Sequence, residues 1–147
     1  MQNHLLHTQR FLPGNYGRPG YTYELTPERI RFISQRLNEF VHTSRPFLQF
    51  GYAIRNLAED IDVPSYQLSA YLNREIGLNF NDYLNQYRVK FCEGLIRNGM
   101  VGELNLKGLA LRCGFSNRNT LTTAFKKFTG LTPSEYARSV QQVRSSN

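Results

Sequence analysis

Apolar residues first fall into register at Ile30, Ile33, Leu37, Phe40 and Val41, spaced as one stripe of a helix. Thr26-Pro27-Glu28 supplies an N-cap with proline at the first helical position, and Ser44-Arg45-Pro46 supplies a stop. A helix over 27–43 is therefore expected. The same reading places helical segments near 53–61, 65–76, 80–98, 106–113, 118–129 and 133–140. No stretch keeps a strand-like alternation for more than a few positions, so the chain is expected to be all-α. Residues 1–25, rich in Gly, Pro and Tyr and without a period, read as a flexible N-terminal arm, and 141–147 as a tail.

The pattern repeats. Gly77-Leu78-Asn79-Phe80-Asn81-Asp82-Tyr83 recurs as Gly130-Leu131-Thr132-Pro133-Ser134-Glu135-Tyr136 at an offset of 53, and Leu68 and Leu72 match Leu121 and Phe125 at that offset. Leu57-Ala58 matches Leu109-Ala110 at 52, so the second copy carries one extra residue. Each copy runs helix, turn, helix, glycine stop and capped helix start. Thr132 and Glu135 form a capping box, and Asn79 and Asp82 its acidic analogue. Around the first turn, Leu57, Ala58, Ile61, Val63, Leu68 and Tyr71 sit where a helix-turn-helix needs apolar residues, with Ala58 at the close crossing. Asp62 holds the turn position usually given to glycine, because its short side chain tolerates the left-handed conformation. Leu109, Ala110, Cys113, Gly114 and Phe115 repeat the first half. An αα-hairpin of a helical bundle would show similar spacings; the second copy and the charge favour helix-turn-helix units.

Eighteen Lys+Arg against eleven Asp+Glu leave a net charge of +7. Six of those units fall within 104–147, where Lys107, Arg112, Arg118, Lys126, Lys127, Arg138 and Arg144 face one acid, Glu135. An anionic partner near the second copy is the physical implication. Enzyme chemistry finds no foothold. His4, His7 and His42 lie outside both repeats, and no HExxH, CxxC or Gly-rich phosphate loop occurs, so neither metal nor cofactor is expected. Cys92 and Cys113, the only cysteines, sit at helical positions expected to be buried, which suits a reducing cytoplasm. No apolar run reaches the length of a membrane span.

The stretch from Leu109-Ala110 through Cys113-Gly114-Phe115, Phe125-Lys126-Lys127-Phe128, Gly130 and Thr132-Pro133 to Tyr136 resembles the signature of AraC/XylS-type transcription regulators. Leu68-Ser69 and Asn79-Phe80-Asn81-Asp82-Tyr83-Leu84 extend the resemblance into the first copy, and it covers roughly 46–140. Asn73, Asn79 and Asn85-Gln86-Tyr87-Arg88-Val89 also resemble a subgroup in which the domain ends a longer, often membrane-bound, sensor chain. The resemblance implies helix-turn-helix units at about 53–76 and 106–129, a long linker helix over 80–98 between them, and a last helix over 133–140. The linker would bury Phe80, Tyr83, Leu84, Tyr87, Phe91 and Leu95. Ala70 and Thr123 depart from the arginines common in the family, so base preference is not carried over.

On this reading the partner is double-stranded DNA, read in successive major-groove segments by two unlike recognition helices. The first helix would present Ser65, Tyr66, Gln67, Ser69, Ala70, Asn73 and Arg74, with Gln67 and Arg74 suited to bidentate base contacts. The second would present Asn117, Arg118, Asn119, Thr122, Thr123, Lys126 and Lys127, the two lysines facing phosphate. The second unit is expected to supply more of the phosphate affinity. Two alternatives stay open: a regulator that binds another regulator or RNA polymerase, and a non-specific architectural DNA binder. The extra N-terminal helix, 26–45 with its linker, either packs on the first unit or serves a dimer or sensor contact. The chain is too short for the ligand-binding domain of many family members, so it is either controlled by its abundance or the output end of a larger protein.

Overall fold

Thr26 opens α1 (Pro27–Ser44) by accepting the Arg29 amide on its side chain, and Arg45, left-handed at φ 48, closes it by donating its amide to the Val41 carbonyl. The structure, a computed structural model, describes residues 24–100 and 105–147. The arm expected over 1–25 lies outside the described residues except for Glu24 and Leu25. A 3₁₀ turn (Pro46–Leu48) follows α1 and leads to α2 (Ile54–Asp60) and α3 (Ser65–Tyr71). Then come α4 (Phe80–Arg97), α5 (Leu106–Arg112), α6 (Arg118–Thr129) and α7 (Pro133–Ser145). Among the described residues there is no strand. The chain is all-α.

Two cores form, one around each copy of the repeat. The first buries Ile33, Leu37 and Val41 of α1 together with Leu57, Ala58, Ile61, Val63, Leu68, Tyr71 and Leu72. The extra helix thus packs on the first unit. The second buries Leu109, Ala110, Cys113, Phe115, Leu121, Ala124 and Phe125. Both turns use the left-handed conformation, Asp62 at φ 55 and Gly114 at φ 85. The repeat's punctuation is equally regular: Gly77 and Gly130 stand at φ 78 and 79, and Asn79 and Thr132 cap the helices that follow.

Helix α4 departs from the single stripe expected of it. Tyr83 and Leu84 enter the first core, but Val89, Cys92 and Ile96 enter the second, while Phe91 packs against both. A rod flanked by a unit at each end must present apolar residues on two faces, and Val89, Cys92 and Ile96 supply the second one. Two further differences concern helix ends. The segment expected as one helix over 65–76 widens at Leu72–Ile76 into a π turn before Gly77. The last helix runs to Ser145, five residues beyond the expected 140, as Val140 packs on the second core and Arg144 donates to the Arg97 carbonyl.

Candidate nucleic-acid interface

The outer faces of α3 and α6 are set by the turns that precede these helices. In the first unit the Val63 amide donates to the Ala58 carbonyl at 2.9 Å, and in the second the Phe115 amide donates to Ala110 at the same distance. Each bond directs the chain from the scaffold helix into the helix behind it, so α3 and α6 emerge with their apolar sides sunk in the core. What remains outward is mainly polar, from Ser65 and Asn73 to the long side chains of Arg74, Arg118, Lys126 and Lys127.

On α3, Ser65 is exposed, Tyr66, Ser69 and Ala70 are half-buried, and Asn73 and Arg74 are exposed in the π turn. Asn73 folds back to donate its side-chain amide to the Ser69 carbonyl at 2.8 Å. Gln67 differs from the surface reader expected of it. It is 8% exposed; its amide oxygen accepts Arg29 Nε from α1 at 2.6 Å, and its amide nitrogen donates to the Tyr66 hydroxyl at 3.3 Å. The cause is tertiary: α1 lies against α3 and brings a cation to the position.

On α6, Arg118, Asn119, Thr123, Lys126 and Lys127 are exposed and Thr122 half-buried. Asn117 caps the helix, its Oδ1 accepting the Thr120 amide at 2.9 Å while Thr120 Oγ1 accepts the Asn117 amide at 3.4 Å. Lys127 is not turned wholly to solvent. Its ammonium lies 2.7 Å from Asp82 Oδ2 in the first turn of α4. That Asp82 also receives the cap Asn79, whose Nδ2 donates to it at 3.2 Å.

Charge divides the units sharply. Residues 53–76 contain Arg55 and Arg74 against Glu59, Asp60, Asp62 and Glu75, whereas 106–129 contain Lys107, Arg112, Arg118, Lys126 and Lys127 and no acid. A polyanion would meet attraction at the second unit and net repulsion at the first. Among the described residues no group of three or more His, Cys, Asp or Glu side chains is arranged to hold a metal ion. Cys92 and Cys113 are buried, and the Cys113 thiol beside Cys92, together with burial, pushes the Cys92 thiol up, away from nucleophilic use. Among the described residues no helix is long and apolar enough to cross a membrane.

Arg29 and Asp82, which meet Gln67 and Lys127, and Arg88, whose Nε donates to the Phe47 carbonyl at 2.7 Å, make contacts that the sequence does not single out. The only trace of Arg88 in the sequence is its place in the Tyr87-Arg88-Val89 run; Arg29 and Asp82 look like ordinary first-turn charges.

A family model described as a helix-turn-helix domain matches residues 57–139. The HTH-type transcriptional activator RhaR of Escherichia coli K12 is 25% identical over 89 residues, 60% of this chain and 30% of RhaR. The chain thus spans under a third of the length of the curated relatives it matches. Among solved structures, the C-terminal domain of AraT, a response regulator from Geobacillus stearothermophilus, superposes with a TM-score of 0.59 at 25% identity, covering 80% of this chain and 88% of that domain. The C-terminal domain of the two-component response regulator yesN from Fusobacterium nucleatum gives 0.58 at 27% identity over 71% of this chain and 96% of the other. The DNA-binding domain of AdpA, a global transcriptional factor solved with a target DNA, shares the fold at a TM-score of 0.63 and 20% identity, covering 76% of this chain and 98% of that one.

Proposed function

Because the chain belongs to the AraC-type helix-turn-helix family, we propose that it is a sequence-specific double-stranded DNA-binding transcription regulator. In this reading α3 and α6 enter successive major-groove segments. One observation carries it: the same helix-turn-helix scaffold is built twice, each time leaving a helix with a polar outer face, and both are mounted on α4. A single chain so arranged reaches two groove segments about one helical turn, ~34 Å, apart without dimerising. Because α3 and α6 differ in sequence, the site is asymmetric.

Tyr66, Ser69, Ala70, Asn73 and Arg74 are assigned to the first groove segment, with Ser65 at the helix start. Arg118, Asn119, Thr122 and Thr123 are assigned to the second, with Asn117 capping the helix and Lys126 facing phosphate. Gln67 and Lys127 enter with changed roles, as the partners of Arg29 and Asp82. The excess charge of the second unit supplies most of the counterion-release affinity. The RhaR relative, named as a transcriptional activator, favours activation as the regulatory outcome; RNA polymerase is the protein partner that this outcome would call for.

Selection from random duplexes tests this reading, because it yields the site, its length and its half-site spacing together. A selected duplex is expected to bind about 10³-fold or more tightly than random sequence. A ratio near one would leave a non-specific architectural binder. Arg74→Ala combined with Arg118→Ala should abolish that ratio and reduce the salt slope. If both survived the double substitution, a protein-interaction role would replace DNA reading.

A further inference from the structure

Arg88 lies midway along α4, between the two units. Its Nε donates to the Phe47 carbonyl at 2.7 Å, and its Nη1 donates to Asn85 Oδ1 at 2.9 Å. The guanidinium carbon stands 5.7 Å from the centre of the Phe115 ring. Phe47 belongs to the first core and Phe115 to the second. One side chain therefore spans the 3₁₀ turn ahead of the first unit, the rod, and the turn of the second unit. Phe47 is itself held on the rod, stacked on Tyr87 with ring centres 5.5 Å apart.

Gly114 packs into the same spot. A Cβ there would run into the Phe47 carbonyl oxygen, and would stand 3.1 Å from Leu48 Cα and 3.2 Å from Arg88 Nε. The 3₁₀ turn of the first core and the turn of the second unit thus meet nearly backbone to backbone, with Arg88 filling the seam. Close-packed interiors do not slide continuously. A half-buried guanidinium stays charged, so it keeps its carbonyl and amide acceptors rather than leaving them unpaired.

We propose that Arg88 is a positioning residue that sets the separation and angle of α3 and α6, and thereby determines which half-site spacing the protein accepts on DNA. The proposal rests on the DNA-reading function above. Two recognition helices held rigidly accept only a duplex whose groove segments match their separation, or one that bends to match. With a loose joint each helix finds its own half-site, and several spacings bind alike. Arg88 acts on DNA through Phe47 and Phe115, not by touching it.

The test uses the full chain, as wild type, Arg88→Met and Arg88→Lys. Each is titrated against the site selected by the wild type, against duplexes whose half-sites are one base pair closer or farther apart, and against duplexes carrying one half-site. Circular dichroism reports the fold. Arg88→Met is expected to keep its helices and its single-half affinity. Its preference for the native spacing should fall by about tenfold, the scale of one mismatched base pair. Arg88→Lys, which keeps one donor for Phe47, should recover part of that preference. The proposal is overturned if Arg88→Met keeps the wild-type spacing preference, or weakens equally on every duplex including the single halves. Should Arg88→Met fail to fold, Asn85→Ala, which removes the acceptor that orients the guanidinium, carries the same comparison. A wild type that selects no two-part site overturns the DNA-reading function itself, a different result from an unchanged spacing preference on a site that exists.

Discussion

Arg29 of α1 donates through Nε to the amide oxygen of Gln67 at 2.6 Å, so the helix ahead of the first helix-turn-helix holds the helix inside it. A glutamine engaged on both ends of its amide is not poised to offer adenine the paired donor and acceptor it requires. Gln67→Ala is therefore expected to lower stability by about 1–3 kcal/mol, the scale of a part-buried hydrogen bond to a charged group. The base sequence of the selected site should stay as it is. Urea unfolding and repeated selection check both halves, and a changed base preference would return Gln67 to the readers.

Neighbouring lysines on α6 should behave differently toward salt. Lys127 lies against Asp82, and Lys126 stands exposed beyond it. Lys126→Ala is expected to reduce the slope of log affinity against log salt by about 1. Lys127→Ala should change that slope less, and should cost up to about 1 kcal/mol of stability as a partly exposed ion pair is lost. Equal slopes for the two variants would show that DNA draws Lys127 off Asp82.

Among the described residues, Glu135 is a nameable contributor to acid stability. Hydrogen bonds from Thr132, backbone first and side chain second, hold the Glu135 carboxyl below its ordinary value. A folded pKa below the unfolded one gives stability that is complete above the unfolded value, about 4.5, and is lost as pH falls through the lower folded value. Glu135→Gln should flatten the acid limb of the stability curve in that window and leave its neutral shape intact. Melting temperatures between about pH 2 and 7 measure it.

Glycines with the same backbone conformation should tolerate substitution unequally. A methyl group added at Gly130 would have nothing within 4 Å, whereas one added at Gly114 would meet backbone. Gly130→Ala should cost about 1–2 kcal/mol for the left-handed conformation alone. Gly114→Ala adds overpacking, typically about 1–3 kcal/mol, on top of that strain, for a total of about 3 kcal/mol or more. Thermal melts of the two variants side by side decide it.

Much of the fold is legible in the chain because its signals are local. Leu57, Ala58, Leu109 and Ala110 are buried where the repeat requires, Asp62 takes the left-handed turn, and Thr132 and Glu135 cap each other. Each follows from a few neighbouring residues. Which positions of α3 and α6 lie outward is largely legible too, but what those side chains touch is not. Gln67 looks like an exposed polar residue until α1 brings Arg29 to it, and Lys127, exposed as expected, looks unpartnered until α4 brings Asp82. The second apolar face of α4, at Val89, Cys92 and Ile96, stays hidden because periodicity reports the dominant stripe, not how many neighbours a helix has.

The amino-acid sequence by itself thus determined the helices, their caps, the doubled unit and the basic excess of its second copy. Periodicity, capping and charge act within a turn or two of the chain. The joint between the units was decided only in three dimensions. Phe47, Arg88 and Gly114 are far apart in sequence, and none is unusual where it stands. Their meeting depends on how two cores seat on one rod, and close packing makes that seating specific.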